Sequence, residues 1–327
     1  MLQLFKNNHF ANALVLFPLA IAVQLSMFFV SSDAPAESNG WLYAKLLGER
    51  SIPLLWQAII SGIFVFFQAV FINRLSIIHR LNNEINILPG FIWLFWSSWH
   101  PDMLGLSGIH PALLCILIGM NDLMHCFKKR NRAIYVFNTG FFFSLASLFY
   151  FPLLSAIVFG LFMFFVFLSI RFPEPQQYIV GIFVPYFLSF CTAYYWGYMD
   201  SFTQLQWLQY DFGSIFSDGH MSSLEWTIVG LSLFILMVAL VNMPFYHAKK
   251  EIFSQRKITM LFVYILFALL GSLFLNQFAL SYLLLPLWPA AIFISDTLYN
   301  MKNAVVAELV VWLFIGISFF MQYEFLF

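Results

Sequence analysis

Apolar residues in this chain gather into long blocks separated by short polar joints. Blocks of about twenty fall near 10–30, 53–73, 108–127, 152–170, 176–198, 226–246, 258–275, 279–298 and 303–323, with shorter ones near 87–100 and 133–150. A hydrocarbon layer about 30 Å thick takes about 20 residues of helix to cross, and only a helix or a closed barrel satisfies its own backbone there. The pattern predicts an all-α polytopic transmembrane bundle of about eleven spans, within a range of nine to twelve. It forms one integral membrane domain over residues 1–327.

The polar joints set the orientation. With the N-terminus in the cytoplasm, eleven spans put Lys6, Arg74, Arg80, Lys128, Lys129, Arg130, Arg132, Arg171, Lys249, Lys250, Arg256, Lys257 and Lys302 inside. Only Lys45 and Arg50 of the fifteen basic residues fall outside, as the positive-inside rule asks. The outer joint 199–225 carries Asp200, Asp211, Asp218 and Glu225 but no Lys or Arg. The first block, at about twenty residues, is longer than the core of a secretory signal and reads as an uncleaved anchor. The expected location is the bacterial inner membrane.

Composition agrees. The chain is 62% hydrophobic and 9% charged, where a soluble domain carries roughly 25% charge. Zero net charge argues against nucleic acid as a partner. Cys115, Cys126 and Cys191 have neither metal spacing nor an even count, and read as small buried hydrophobes.

The stretch "WSSWHPDMLGLSGIHP" (96–111) places His100, Asp102 and His110 at the outer end of the short third block. Trp93, Trp96 and Trp99 are expected at headgroup level. Pro101 suits a turn, and Pro111 the first turn of the next span, where a missing N–H costs nothing. Two histidines and one carboxylate are few for a metal site, and no His-x-x-x-His or Glu-x-x-His spacing occurs.

Ionisable groups within apolar blocks are the default functional suspects. Asp122, with His125 on the same helical face, lies near the cytoplasmic end of the fourth span; pairing with the Lys128–Arg132 cluster is the plain alternative. Asp296 sits about a turn and a half before Lys302, and Glu308 lies about one turn into the last span. No phosphate loop, nucleophile elbow, zincin motif or internal repeat is present.

The segments "FNTGFFFSLASLFYFP" (137–152) and "RFPEPQQYIVGIFVPYF" (171–187), with "LFKNNHF" near the N-terminus and "FINRLSIIHRLNNEINILPGFIWLFW" (71–96), resemble a family of polytopic inner-membrane proteins of the Bacteroidota with uncharacterised function. The resemblance is strongest over 1–190. Some members carry a beta-carotene monooxygenase label, which implies iron held by histidines. The histidines here are scattered over both faces, so no cofactor and no metal is expected. The family pattern has an Arg-Glu-Trp-like run after Arg171, where this chain has Gln176, Gln177 and Tyr178. The 137–152 segment is also similar to spans of glycosyltransferases that use polyprenyl-phosphate sugars. That similarity implies a catalytic acid in the first outer joint, which here holds Asp33 and Glu37.

Three readings follow. The first is a scaffold or accessory component of cell-envelope biogenesis, partnered by the lipid bilayer and other envelope membrane proteins. The second is a transferase on the outer face, with Asp33 or Glu37 as base and Lys45 or Arg50 on the phosphate of a polyprenyl-phosphate lipid. The third is a proton- or ion-coupled transporter using Asp122, Asp296 and Glu308.

Overall fold

A computed structural model describes residues 10–28, 39–48, 52–127, 132–167, 173–208, 223–248, 250–272, 280–301 and 303–324. Each apolar block carries a helix. In chain order these are α1 (Phe10–Gln24), a short α2 (Trp41–Tyr43), α3 (Leu54–Ile78), α4 (Leu88–Trp96), a one-turn α5 (Pro101–Leu104), α6 (Ile109–Cys126), α7 (Ala133–Phe149) and α8 (Leu154–Phe167). They continue as α9 (Pro173–Tyr195), α10 (Met199–Thr203), α11 (Ser223–Val241), α12 (Met243–His247), α13 (Ile252–Gly271), α14 (Leu284–Asn300) and α15 (Ala304–Glu324). No strand occurs among the described residues.

Six helical segments are long and apolar enough to cross a membrane: Leu54–Ile78, Ile109–Cys126, Pro173–Tyr195, Ile252–Gly271, Leu280–Asn300 and Val305–Gln322. The apolar parts of α1, α7, α8 and α11 are shorter, and α4 has only nine residues.

Side-chain contacts fix the directions. Gln24 meets Ser61 while Phe17 meets Phe66, so α1 and α3 are antiparallel. Trp93 meets Gln68 and Gly90 meets Asn73, reversing the chain again into α4. Phe159 meets Phe267 while Gly271 abuts Ser155, and Phe262 stacks on Phe293, setting α8, α13 and α14 in alternation. The α7 and α9 helices run parallel, with α8 connecting them. They touch through glycine: a Cβ on Gly140 would lie 2.5 Å from the Tyr178 carbonyl oxygen, and one on Gly181 would lie 2.3 Å from that of Phe137. Small residues permit such approach where lipid supplies no hydrophobic drive between helices.

The bundle therefore has two distinct ends. Among the described basic residues, Arg74, Arg80, Arg132, Lys250, Arg256 and Lys257 gather at one end and Lys45 lies at the other.

The core is built around α4, every residue of which is buried. A helix apolar on all sides belongs in an interior. Trp93, Trp96 and Trp99, expected at headgroup level, are fully buried within the bundle. Two of the three indole N–H groups find acceptors there: Trp93 donates to Gln68 Oε1 (3.1 Å) and Trp99 to Ser318 Oγ (3.0 Å), while that of Trp96 has none among the described residues. Gln68 in turn donates to the His110 carbonyl at 2.9 Å, so both ends of its amide are used. Cys115 and Cys126 are buried as expected, but Cys191 is exposed on α9.

Candidate functional site

The densest polar chemistry lies at the basic end, on the segment 79–86 that links α3 to α4. The last turn of α3 ends at Ile78, and the chain reverses through Arg80, whose φ of 52° is left-handed. A non-glycine residue there costs roughly 1 kcal/mol, so the surroundings must hold the turn. The bonds of its neighbours do so, and Arg80 itself adds an exposed ion pair with Glu251 (3.1 Å), worth little in water. The Lys250 ammonium donates to the Leu81 carbonyl. Asn82 Nδ2 donates to Ser295 Oγ (2.9 Å). Asn83 donates from its backbone N to Asp296 Oδ1 (2.8 Å) and from Nδ2 to Oδ2 (3.2 Å). Asn86 Oδ1 accepts from Leu88 N at 3.2 Å, satisfying one orphan donor at the start of α4. Burial pushes the Lys250 pKa down, against the nearby Asp296 charge.

His79 joins this segment to α6 and α13. Its Nδ1 lies 3.1 Å from Lys257 Nζ and its Nε2 lies 3.2 Å from Asn121 Oδ1. An ammonium has only donors, so Nδ1 accepts and Nε2–H donates to Asn121. Asn121 Nδ2 then donates to Asp122 Oδ1 at 3.3 Å. The His125 ring meets His79 edge-on at 4.8 Å. Burial, reinforced by the charges of Lys257 and His125, pushes the His79 pKa down from 6.5 to about 3.

The sign of the resulting pH dependence is definite. Between those two values the unfolded chain binds a proton that the folded chain does not. Stability is thus full above pH 6.5 and falls as pH drops through the window, by about 1.4 kcal/mol per unit. Thermal unfolding in detergent is expected to shift downward between pH 7 and pH 5.5. A His79→Asn variant, facing the same Lys257, Asn121, Asp122 and His125, is expected to lose most of that slope.

The structure treats the remaining sequence candidates unequally. Asp122 and Asp296 both connect to segment 79–86, from opposite sides, through Asn121–His79 and through Asn83. Glu308 lies one turn into α15. Of the Lys128–Arg132 cluster expected beside Asp122, Arg132 is described and lies 2.6 Å from Glu174. Lys128, Lys129, Arg130 and Lys302, the partner expected for Asp296, lie outside the described residues, and Asp122 and Asp296 accept bonds from Asn121 and Asn83. Asp33, Glu37 and Arg50 also lie outside them. The Lys45 ammonium sits 3.7 Å from the centroid of the Tyr198 ring.

His100 and His110 separate. His100 Nδ1 accepts from Asp102 N (3.2 Å) as the cap of α5, with Asp102 Oδ2 3.4 Å away. His110 instead bonds the Gly105 carbonyl at 2.9 Å. Both prolines fall in first turns, as the sequence implies. Among the described residues no three potential ligands converge on a metal position. Sequence reasoning missed His79, Lys257, Asn82 and Asn83. The available signal was a lysine directly bordering the apolar block at 258–275 and three asparagines where an inner joint usually carries lysine or arginine.

Apolar helices packed around a buried α4 and closed at one end by this polar clamp define a helical protein of the membrane-embedded class. The chain belongs to a family of unknown function, DUF6427, which matches residues 50–325 and so runs well beyond the first 190 residues. No curated protein and no solved structure matches it.

Proposed function

We propose that this is an eleven-pass inner-membrane protein of bacterial cell-envelope biogenesis. Its N-terminus faces the cytoplasm, and it acts as a scaffold or accessory component for other envelope proteins. The observation that carries this reading is the use made of the buried polar groups. Asp296, Lys250, Asn82 and Asn83 each fasten a connecting segment to a helix end, and Arg132 holds the start of α7 to Glu174 on α9 at 2.6 Å. Such bonds stiffen a platform. The alternating directions of α1, α3 and α4 and of α8, α13 and α14, with the described basic residues other than Lys45 at one end, support the span count and orientation.

A second reading, a polyprenyl-phosphate-sugar transferase on the outer face, is favoured by how the segment after Asp33 and Glu37 is fastened. The Asn39 side chain accepts from Gly108 N (2.8 Å), and Gly40 N donates to the Phe149 carbonyl (2.8 Å). The Tyr43 hydroxyl donates to the Leu106 carbonyl at 2.5 Å, and Trp41 packs edge-on against Phe202. The Asp33/Glu37 joint is thus moored on its downstream side to the ends of α6, α7 and α10.

Complementation of a deletion strain separates the two. The Asp33→Asn, Glu37→Gln double variant is expected to restore the envelope fully. Loss of complementation by a double variant that still reaches the membrane in normal amount would instead establish the transferase. Transport through Asp122, Asp296 and Glu308 would appear as ion flux in reconstituted vesicles that Glu308→Gln abolishes.

A further inference from the structure

Asn82 carries an acceptor that the fold leaves open. Ser295 Oγ gives its one proton to the Ile292 carbonyl at 2.7 Å, so towards Asn82 Nδ2 it can only accept. That fixes the amide: nitrogen towards Ser295, oxygen away from it. Asn82 is 8% exposed, and its Oδ1 has no donor among the described residues. A buried oxygen in that condition costs about 1–3 kcal/mol unless something electropositive meets it.

The neighbouring residues supply the rest of a site. Asp296 follows Ser295 on α14 and is 3% exposed. Each of its oxygens takes one bond from Asn83, which leaves further lone pairs on both. Among the described residues the nearby positive charge is the Lys250 ammonium, bonded to the carbonyl of Leu81, the residue before Asn82. Arg80 is committed to Glu251. Asn83 and Glu84 are exposed, so the segment is open to the aqueous phase on its outer side.

We propose that the Asp296 carboxylate and the Asn82 amide oxygen form a binding site for a single alkali-metal cation, with Lys250 as a tethered competitor for the same charge. Hard oxygen donors suit such an ion. One carboxylate beside one ammonium is too little negative charge for calcium or magnesium, which gather several acidic ligands. The ion would tie segment 79–86 to α14 through Asn82 as Asn83 already does. This site is independent of the scaffold reading, since a platform needs no ion.

The test is thermal unfolding of the full-length protein in detergent, in sodium, potassium or choline chloride at equal ionic strength. A cation that binds only the folded chain raises the midpoint in a saturable way. Sodium or potassium is expected to raise it by several degrees over choline. Asn82→Ala and Asp296→Asn are expected to remove the difference, and Lys250→Met to lower the half-saturating concentration about tenfold. Identical midpoints for wild type in all three salts would overturn the proposal and assign the Asn82 oxygen to water. Weaker ion dependence in Lys250→Met would overturn the competition. The wild-type comparison decides the first point even where a variant fails to fold.

Discussion

Replacing Gly181 with leucine is expected to leave little folded protein in the membrane, whereas the same replacement at Gly316 is expected to be silent. A Cβ on Gly181 would meet the Phe137 carbonyl at 2.3 Å and the Phe141 nitrogen at 3.1 Å. Those are backbone atoms of α7, so no side chain can swing aside and the helices must part. Overpacking of an interior typically costs 1–3 kcal/mol, and a clash with main chain belongs at about 3 kcal/mol or above. Parting α7 from α9 would also pull apart the 2.8 Å bond between Ser147 and Tyr186. A Cβ on Gly316 has nothing within 4 Å. Detergent-resistant yield and unfolding midpoint of the two variants, measured side by side, check the contrast.

The second large effect is expected at the other end of the same helix pair. Arg132 Nε and Glu174 Oε1 lie 2.6 Å apart, with side chains 15% and 11% exposed. Glu174→Leu would take this acceptor from a mostly buried guanidinium, at about 3 kcal/mol, while Arg132→Met combined with Glu174→Leu would restore most of that loss. Recovery in the double variant, read from unfolding midpoints, distinguishes a costly buried charge from a bond that is itself strongly stabilising. Were both single variants as stable as the wild type, the pair would have no structural role.

What the chain declares about itself is mostly its solvent. Every apolar block became a helix, including the two short ones at 87–100 and 133–150, because an apolar run with no β-bridging partner has one way to satisfy its backbone. Prolines 101 and 111 marked first turns because their chemistry is local. The burial of Trp93 and Trp99 was not legible, because it depends on contacts with Gln68, 25 residues away, and Ser318, 219 away. The polar clamp was hidden for the same reason. His79 and Lys257 are separated by 178 residues, and Asn83 and Asp296 by 213. Periodicity reports which face of a helix is apolar, but it carries no information about which distant residue will meet a polar one. Asp296 and Asp122 were legible as anomalies, and their partners were not.

The brevity of α4 bears on how the chain is made. Nine residues of helix reach only about 14 Å, under half the width of the lipid layer. As synthesis proceeds, this segment emerges with α3 already in place, and Asn73 and Gln68 can receive Gly90 and Trp93 at once. Its other walls, α14 and α15, are translated nearly two hundred residues later. Until they arrive, the Trp96 ring lacks its contact with Phe314 and the Trp99 indole lacks its acceptor, Ser318, so the core around α4 closes only once the last helix has been made.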